Sequence, residues 1–160
     1  MEAIVAVYGD WGIGCGGTQP VTLRADRKRF RAVTDGAAVI VGRKTLEDFP
    51  GGKPLPGRRN IVLTRQTLDI PGADVVHTPE EALLAAASEP RCFVIGGSSV
   101  YEALLPYVSR VYVTKLDLTP ESDSFFPNLD DDPAWLCTDG GEPGEEAGTG
   151  YRFCVYERIG

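Results

Sequence analysis

The chain alternates short runs rich in Val, Ile, Tyr and Phe with segments of helical pattern, and this alternation constrains the fold more than any other feature. Such alternation is typical of a mostly parallel sheet whose two faces are covered by helices. No helix separates the last two predicted strands, so that edge of the sheet is predicted to be antiparallel. The predicted strands are Ile4–Tyr8, Ala37–Val41, Asn60–Thr64, Asp74–His77, Cys92–Ile95, Arg110–Leu116 and Tyr151–Glu157, and the predicted helices are Arg24–Val33, Lys44–Phe49, Pro79–Ala87 and Ser98–Leu105.

One helix start and several loops are also marked in the sequence. Thr78 precedes Pro79 and is followed three residues later by Glu81, which is a capping box with proline at the first helical position. Long loops in a compact domain often carry function. The long loops are Gly9–Thr22 with its five glycines, the Pro/Gly-rich Gly51–Arg59, and the acidic Asp139–Gly150, which is expected to be a mobile hairpin between the last two strands.

Size and composition indicate one soluble domain. The 160 residues are 42% hydrophobic and 24% charged, so we expect a single domain and a single core over residues 1–160. The start Met1-Glu2-Ala3-Ile4 has no basic stretch before an apolar run. No apolar run approaches the roughly 18 residues needed to span a bilayer. A cytoplasmic protein without membrane association is therefore expected.

The distribution of charge and the scarcity of metal-binding residues argue against further classes of function. Residues 1–65 hold 11 Lys and Arg against 6 Asp and Glu, whereas residues 66–160 hold 5 against 17, which gives the net −7. No long basic face is predicted, which disfavours nucleic acid binding, but the basic first half suits a small anionic ligand. The four cysteines form no C-x-x-C pair and His77 is the only histidine, so we expect reduced thiols and no metal site. Cys92 and Cys154 are expected in the core.

A glycine motif near the N-terminus resembles a dinucleotide-binding fingerprint. Gly12-Ile13-Gly14-Cys15-Gly16-Gly17 matches G-x-G-x-x-G and follows a strand. That fingerprint also requires a helix to begin there and an acidic residue to end the next strand. Here Thr18-Gln19-Pro20 follows, and the next strand ends in Gly42-Arg43. The context favours a flexible loop that folds over a ligand.

Two other strands end in glycine and lead directly into a helix, in VIVGRKT (39–45) and FVIGGSSVY (93–101). A helix start offers unpaired N–H groups and a positive dipole end, which suit phosphate. In a parallel sheet both turns lie at the carboxyl edge, where ligands bind. Two such turns, with Arg43, Lys44 and Arg65 at strand ends, suggest a dinucleotide with an extra phosphate. The alternative, that each glycine only permits a tight turn, stays open on the residues alone.

Asp26 is the candidate catalytic group. It lies in the first turn of the first predicted helix, where a carboxylate stabilises the helix dipole. It also shares a helix face with Phe30, four residues on. A carboxylate in an apolar cleft has a raised pKa and can serve in proton transfer. Composition alone favours the dipole role.

Together these segments resemble the dihydrofolate reductase family in order and spacing. The resemblance covers nearly the whole chain. It implies a single α/β domain with a central, mixed but mostly parallel eight-stranded sheet flanked by about four helices. It also implies an enzyme that reduces dihydrofolate to tetrahydrofolate with NADPH for one-carbon metabolism, binds antifolates and is a monomer. The matching segments are Ile13-Gly14, Asp26 with Phe30, Gly42–Arg65, Val94–Pro106 and Val111–Asp117.

The resemblance implies roles for the substrate-site residues. Asp26 would bind the amino group and a ring nitrogen of the pteridine and support protonation of N5, and Thr114 would hydrogen-bond that carboxylate. Arg58 would clamp the α-carboxylate of the glutamate, which suits a planar guanidinium. The pteridine and aminobenzoyl pocket would be lined by Val5, Ala6, Phe30, Phe49, Leu55 and Ile95.

The resemblance also implies a cofactor site. The nicotinamide would be surrounded by Ala6, Ile13, Ile95 and Tyr101, with Gly14 nearby. The pyrophosphate would be held by Gly96, Gly97, Ser98 and Ser99, with Val100 behind them. The adenosine end and its 2′-phosphate would contact Gly42, Arg43, Lys44, Thr45, Leu63, Thr64 and Arg65. His77 would touch the adenine edge or be a plain surface residue.

Two departures from the family pattern concern the substrate pocket. Val21 stands where the family usually has Trp, which puts an ordered water near the pteridine in doubt. Arg27 stands where an apolar residue is usual, which puts pocket polarity in doubt. One hypothesis is that Arg27 and Arg31 extend the anion site of Arg58 toward the glutamate tail; the alternative is that both are solvated.

Two alternative functions share the fold. One is the reductase of riboflavin synthesis, which acts on a phosphoribosyl-aminopyrimidine and would not need Asp26, Phe30 and Arg58. The other is a catalytically silent NADPH-binding module, in which Asp26 and Thr114 would be free to change.

Overall fold

The β-branched runs form the sheet of this structure, a computed structural model that describes residues 1–159. Gly160, the last residue of the predicted domain, lies outside the described part. The strands are β1 Glu2–Val7, β2 Gly12–Gly14, β3 Ala38–Gly42, β4 Arg59–Leu63, β5 Ala73–Val76, β6 Cys92–Gly96, β7 Arg110–Leu116, β8 Ser124–Phe125, β9 Trp135–Asp139, β10 Pro143–Glu146 and β11 Thr149–Arg158. The helices are α1 Arg24–Thr34, α2 Arg43–Glu47, α3 Pro79–Ala87 and α4 Ser98–Leu104.

Eight strands lie side by side in the order β10-β11-β7-β1-β6-β3-β4-β5, and β9 pairs with β11 outside this path. The neighbours from β7 to β5 are all parallel. The pairs that β11 makes with β7, β9 and β10 are antiparallel. The predicted mixed, mostly parallel sheet, its antiparallel edge and the four helices are therefore confirmed.

The helices cover both faces of the sheet, as predicted. On one face, α3 and α4 pack on alternate residues of the central strands, with Ala82 and Leu104 fully buried. On the other face, α1 and α2 pack on the intervening residues, with Phe30 and Leu46 at the contact. Cys92 and Cys154 are buried, as expected. No helix among residues 1–159 has the length and apolar character to cross a membrane.

Local signals fixed two helix ends. The Thr78 side chain accepts a hydrogen bond from the Glu81 backbone N–H at 3.1 Å, so the predicted cap of α3 is confirmed. The Glu81 carboxylate in turn accepts from the His77 N–H. The predicted bounds of α2, Lys44–Phe49, are wrong: the helix is Arg43–Glu47. It ends before Phe49 because Phe49 precedes a proline and is extended.

Four short strands were not predicted. The Gly9–Thr22 loop contains β2, which pairs with β8, and the Asp139–Gly150 loop contains β10, which forms a hairpin with β11. The strands β2, β8 and β10 are too short, or too rich in glycine and acidic residues, to show a period of two. The fourth, β9, shows none because only Trp135 is buried. No helix follows the glycine run before α1 begins at Arg24, so the dinucleotide fingerprint is absent there.

Candidate active site

The carboxyl edge of the parallel strands brings the two glycine turns together. Gly42, at the end of β3, is in register with Leu63 of β4, and Val41 pairs with Gly96 of β6. The turn from β3 into α2 and the turn from β6 into α4 therefore lie on neighbouring strands. Thr45 follows the first turn. In an open α/β sheet this edge is where ligands bind.

The two turns pack closely enough that a side chain at either glycine would press on a neighbouring side chain. A Cβ on Gly97 would lie 3.0 Å from the Thr45 Oγ1, and one on Gly42 would lie 3.1 Å from a Val100 methyl. Gly96 has φ +124, a conformation that side chains rarely adopt. Among residues 1–159, no side chain caps α2 or α4. The first N–H groups of both helices, including those of Ser98 and Ser99, are left for a ligand.

Basic side chains flank these turns. Arg43 begins α2 and forms an ion pair with Glu47, while Lys44 and Arg65 are exposed. The register of β3 with β4 places Arg43 and Arg65 at the ends of adjacent strands. This local positive charge suits a phosphate despite the net charge of −7.

His77 is an exposed residue next to the same edge. Its Nδ1 lies 2.9 Å from the carbonyl oxygen of Thr64. The contact fixes the ring against the end of β4. It is compatible with either of the two roles considered for this residue.

Asp26 and Thr114 lie 88 residues apart in sequence and are brought into contact by the fold. The Thr114 hydroxyl, on buried β7, donates to Asp26 Oδ1 at 2.6 Å. Burial raises the pKa of Asp26 above its ordinary value, and the Thr114 hydrogen bond and the charges of Arg29 and Arg27 oppose that rise. The site therefore holds a partly buried carboxyl group that has both a hydrogen-bond donor and nearby cations.

The first turn of α1 is capped by a residue that sequence reasoning missed. Leu23 occupies the N-cap and gives no side-chain hydrogen bond. Instead, the Glu146 carboxylate accepts from the backbone N–H groups of Arg24 at 2.7 Å and Ala25 at 3.0 Å. These bonds hold the pKa of Glu146 below its ordinary value. Because more than 100 residues separate the partners, no local sequence pattern marks the contact.

Apolar side chains form one wall of the site. Phe30 from α1, Phe49 and Leu55 pack on the buried cluster that includes Ile95 at the end of β6. On β1, Val5 is buried and Ala6 is partly buried. Ile13 and Tyr101 belong to the cluster on the other face of the sheet, where the Tyr101 hydroxyl donates to the Ile4 carbonyl at 2.7 Å. Gly14 is buried beside β8.

Arg58 is fixed by three hydrogen bonds. Its Nε donates to the Thr34 hydroxyl at 2.9 Å, and its terminal nitrogens donate to the carbonyls of Pro56 and Arg31. Buried Asn60 holds the same loop through three further hydrogen bonds, two to Leu55 and one to the Arg58 carbonyl. The guanidinium is thus pre-positioned before a ligand arrives.

The exposed arginines of α1 are placed differently. Arg27 donates to the Thr22 hydroxyl at 2.9 Å, so it lies at the end of the glycine-rich loop. Arg31 is exposed, and only its backbone carbonyl contacts Arg58. Both guanidinium groups are open to solvent.

The second half of the glycine-rich loop is held by side chains from other segments. The Gly16 N–H donates to Asp123 at 3.0 Å. Thr18 donates to Asp48, beyond α2, at 3.2 Å. At Val21, where the family usually has Trp, the Tyr8 hydroxyl donates to the Val21 carbonyl and accepts from its N–H. Tyr8 was not among the predicted site residues.

Comparison with known proteins places this fold and site in the class of NADPH-dependent oxidoreductases. The family model for dihydrofolate reductase matches residues 1–158. The dihydrofolate reductase of Staphylococcus haemolyticus is 35% identical over 161 aligned residues, covering 99% of this chain and 96% of the relative. That of Mycobacterium tuberculosis is 40% identical over 155 residues, covering 91% of this chain and 90% of the relative.

A solved structure gives the same result. Dihydrofolate reductase from Enterococcus faecalis, complexed with NADP(H) and RAB-propyl, superposes with a TM-score of 0.89 at 33% identity, covering 99% of this chain and 96% of the other. The chain belongs to the dihydrofolate reductase family. This membership decides against the reductase of riboflavin synthesis.

Proposed function

We propose that this protein carries out the reaction of its family, reduction of dihydrofolate to tetrahydrofolate with NADPH, with Asp26 as the group that binds and helps to protonate the pteridine. One observation carries the assignment of Asp26: it is a partly buried carboxyl group held by a 2.6 Å hydrogen bond from buried Thr114. A solvated helix-end carboxylate would lack both features.

The cofactor site fits a dinucleotide phosphate. The close glycine contacts at 42 and 97 leave backbone N–H groups uncovered at two helix starts. Ser98 and Ser99 would hold the pyrophosphate with Gly96 and Gly97, and Arg43, Lys44, Thr45 and Arg65 would hold the adenosine end and its 2′-phosphate. When bound, NADPH supplies the hydride. Ala6, Ile13, Ile95 and Tyr101 would orient the nicotinamide.

The substrate side of the site orients the pteridine and moves a proton. The ionised Asp26 would accept hydrogen bonds from the pteridine amino group and ring nitrogen, and Thr114 would keep the carboxylate in place. Asp26 would then raise the fraction of substrate protonated at N5. Phe30, Phe49 and Leu55 would enclose the rings, and Arg58 would bind the glutamate α-carboxylate.

The glycine-rich loop would exclude water from the reacting rings. Its ties to Asp123 and Asp48 hold it over the carboxyl edge of the sheet. Excluding water strengthens the electrostatic interactions within the site. Tyr8 would hold the end of the loop at Val21 in the place of the usual Trp.

The test is Asp26→Asn, with Asp35→Asn at the exposed far end of α1 as the matched control. We expect Asp26→Asn to fold and bind NADPH but to lose most turnover at neutral pH. The loss should shrink at lower pH, because solvent then protonates the substrate. Turnover is followed by the loss of NADPH absorbance with dihydrofolate present. Near-normal activity at pH 7 would show that Asp26 does not have this role, and no activity in the wild type would favour a silent module.

The stability of the same variant has a defined sign. Because the folded pKa of Asp26 is raised, the native state binds this proton more tightly than the unfolded chain does. Ionisation of Asp26 at neutral pH therefore costs stability, and the cost disappears as the pH falls below the ordinary value of 3.8. We expect Asp26→Asn to melt at the same temperature as the wild type at pH 7, or higher.

The proposal extends to the location, the oligomeric state and the ligands of the protein. We propose a cytoplasmic monomer that takes dihydrofolate, NADPH and antifolates as its partners and contributes to one-carbon metabolism. Neither nucleic acid nor a membrane is a partner in this proposal. Sedimentation of the purified protein tests the monomer, and competition of an antifolate with dihydrofolate tests the shared pocket.

A further inference from the structure

Arg29 is a cation in an aromatic environment that the reaction has not yet used. Its guanidinium carbon lies 4.5 Å from the centre of the Phe153 ring and 5.6 Å from that of Tyr112. The residue is only partly exposed, and its buried Nη1 has no hydrogen-bond partner among residues 1–159. Placing a guanidinium here costs desolvation and an unmade hydrogen bond. A purely structural role would be filled better by an apolar side chain.

The sheet places Arg29 next to the carboxyl group of Asp26. Phe153 of β11 is in register with Thr114 of β7, and Tyr112 lies two residues before Thr114. Cross-strand partners and residues two apart point to the same face of a sheet. Thr114 donates to Asp26, and Arg29 follows Asp26 by three residues on α1. Residues three apart are neighbours on one helix face.

We propose that Arg29 is the electrostatic positioning residue of Asp26. Its guanidinium stacks on the Phe153 ring, lies one helical turn from Asp26, and favours the ionised carboxylate that binds the pteridine. The inference rests on the role proposed above for Asp26. Thr114 supplies the short hydrogen bond, and Arg29 supplies a permanent charge at longer range. Arginine suits this task because it stacks on aromatic rings and stays protonated when burial lowers its pKa.

Within the described part of the chain, few groups act on this pair, and Arg27 is the one further cation that lowers the pKa of Asp26. Arg27 on the same helix also lowers the pKa of Asp26, but it is solvated. The buried Tyr101 of α4 feels the charge of Asp26 and is neutral in the assay range because burial raises its pKa. The Tyr112 ring of β7 lies next to Arg29, and the charges of Asp26 and of Asp139 at the end of β9 favour its charged form. Cys154, next to Phe153 on β11, points to the other face of the sheet.

The experiment compares Arg29→Met, which removes the charge and keeps much of the volume, with Arg29→Lys, which keeps the charge. Lys28→Met is the matched control, since it removes an exposed cation from the same turn. Two readouts are followed against pH: turnover with dihydrofolate and NADPH, and the carbon NMR shift of the Asp26 carboxyl in the enzyme without substrate. Thermal melting checks folding. If Arg29→Met does not fold, Arg29→Gln replaces it with the same expectation.

We expect Arg29→Met to move both midpoints up by roughly 0.5–1 pH unit, the effect of losing one partly screened opposite charge about a helical turn away. Arg29→Lys should keep the midpoints near wild type, and Lys28→Met should leave them unchanged. A folded Arg29→Met whose Asp26 resonance titrates as in the wild type would overturn the proposal.

The background variant Asp26→Asn separates this outcome from a failure of the proposed function. In that background, Arg29→Met should no longer move the pH profile of turnover. A profile that Asp26→Asn itself leaves intact would refute the role of Asp26. An unchanged NMR titration in Arg29→Met would refute only the role of Arg29.

Discussion

Asn60 connects the stability of the protein to its substrate pocket, and replacing it by alanine tests that connection. The side chain is 1% exposed. It donates to the carbonyls of Leu55 and Arg58 at 2.9 and 3.0 Å and accepts from the Leu55 N–H at 2.9 Å. Three hydrogen bonds at roughly 0.5–1.5 kcal/mol each predict a loss of about 2–4 kcal/mol in the free energy of unfolding. A domain of this size would then melt about 5–15 °C lower.

The same substitution should weaken the binding of dihydrofolate more than that of NADPH. Leu55 and Arg58 are held by Asn60, whereas the glycine turns of the cofactor site are built on other strands. We expect the KM for dihydrofolate to rise several-fold, with little change in the Kd of NADPH. Urea unfolding and steady-state kinetics measure the two effects.

Asn128→Ala is the control, since exposed Asn128 caps a short turn at Leu129–Asp131 where water can replace its bonds. The reasoning fails if Asn60→Ala is within about 0.5 kcal/mol of the wild type, the range of an ordinary surface substitution. It also fails if stability drops while the KM for dihydrofolate stays constant.

Three further perturbations test other parts of the site. Glu146→Gln should lower the melting temperature at neutral pH. Because the folded pKa of Glu146 is depressed, its contribution to stability is present above the ordinary value of 4.5 and is lost as the pH falls below it. Melting curves of the two proteins should therefore converge in acid. Removing the charges of Arg43 and Arg65 should raise the Kd of NADPH by roughly tenfold or more, while the Kd of NADH changes little. Equal affinity of the wild type for both cofactors would contradict this expectation. If Arg27 and Arg31 contact the glutamate tail, polyglutamylated dihydrofolate should have a lower KM than the monoglutamate in a salt-dependent way, and Arg27→Leu with Arg31→Ala should abolish the difference; an unchanged ratio would show that they do not.

The sequence alone determined the features that depend on short-range signals. Runs of β-branched residues defined β1, β3, β4 and β6, since each strand is buried on both faces. Thr78 and Glu81 marked the start of α3 because a capping box needs only residues three apart. The glycines of the two strand-to-helix turns could be found because each directly follows a β-branched run and precedes a helical segment. From these segments the family and its candidate site residues could be recognised.

The resemblance to the family implied the contact of Thr114 with Asp26, but only the tertiary structure decided which other side chains lie near that carboxyl group. Thr114, Glu146 and the Phe153 ring reach α1 from strands that lie about 90 to 125 residues away in sequence, so their contacts depend on the order β10-β11-β7-β1 in the sheet. In the sequence, nothing distinguishes Arg29 from the other basic residues of a charged helix. Its environment is set by β7 and β11, whose pairing brings two aromatic rings under the first turns of α1. A local pattern cannot encode that environment, because the low dielectric and the neighbouring charge exist only when the sheet has formed.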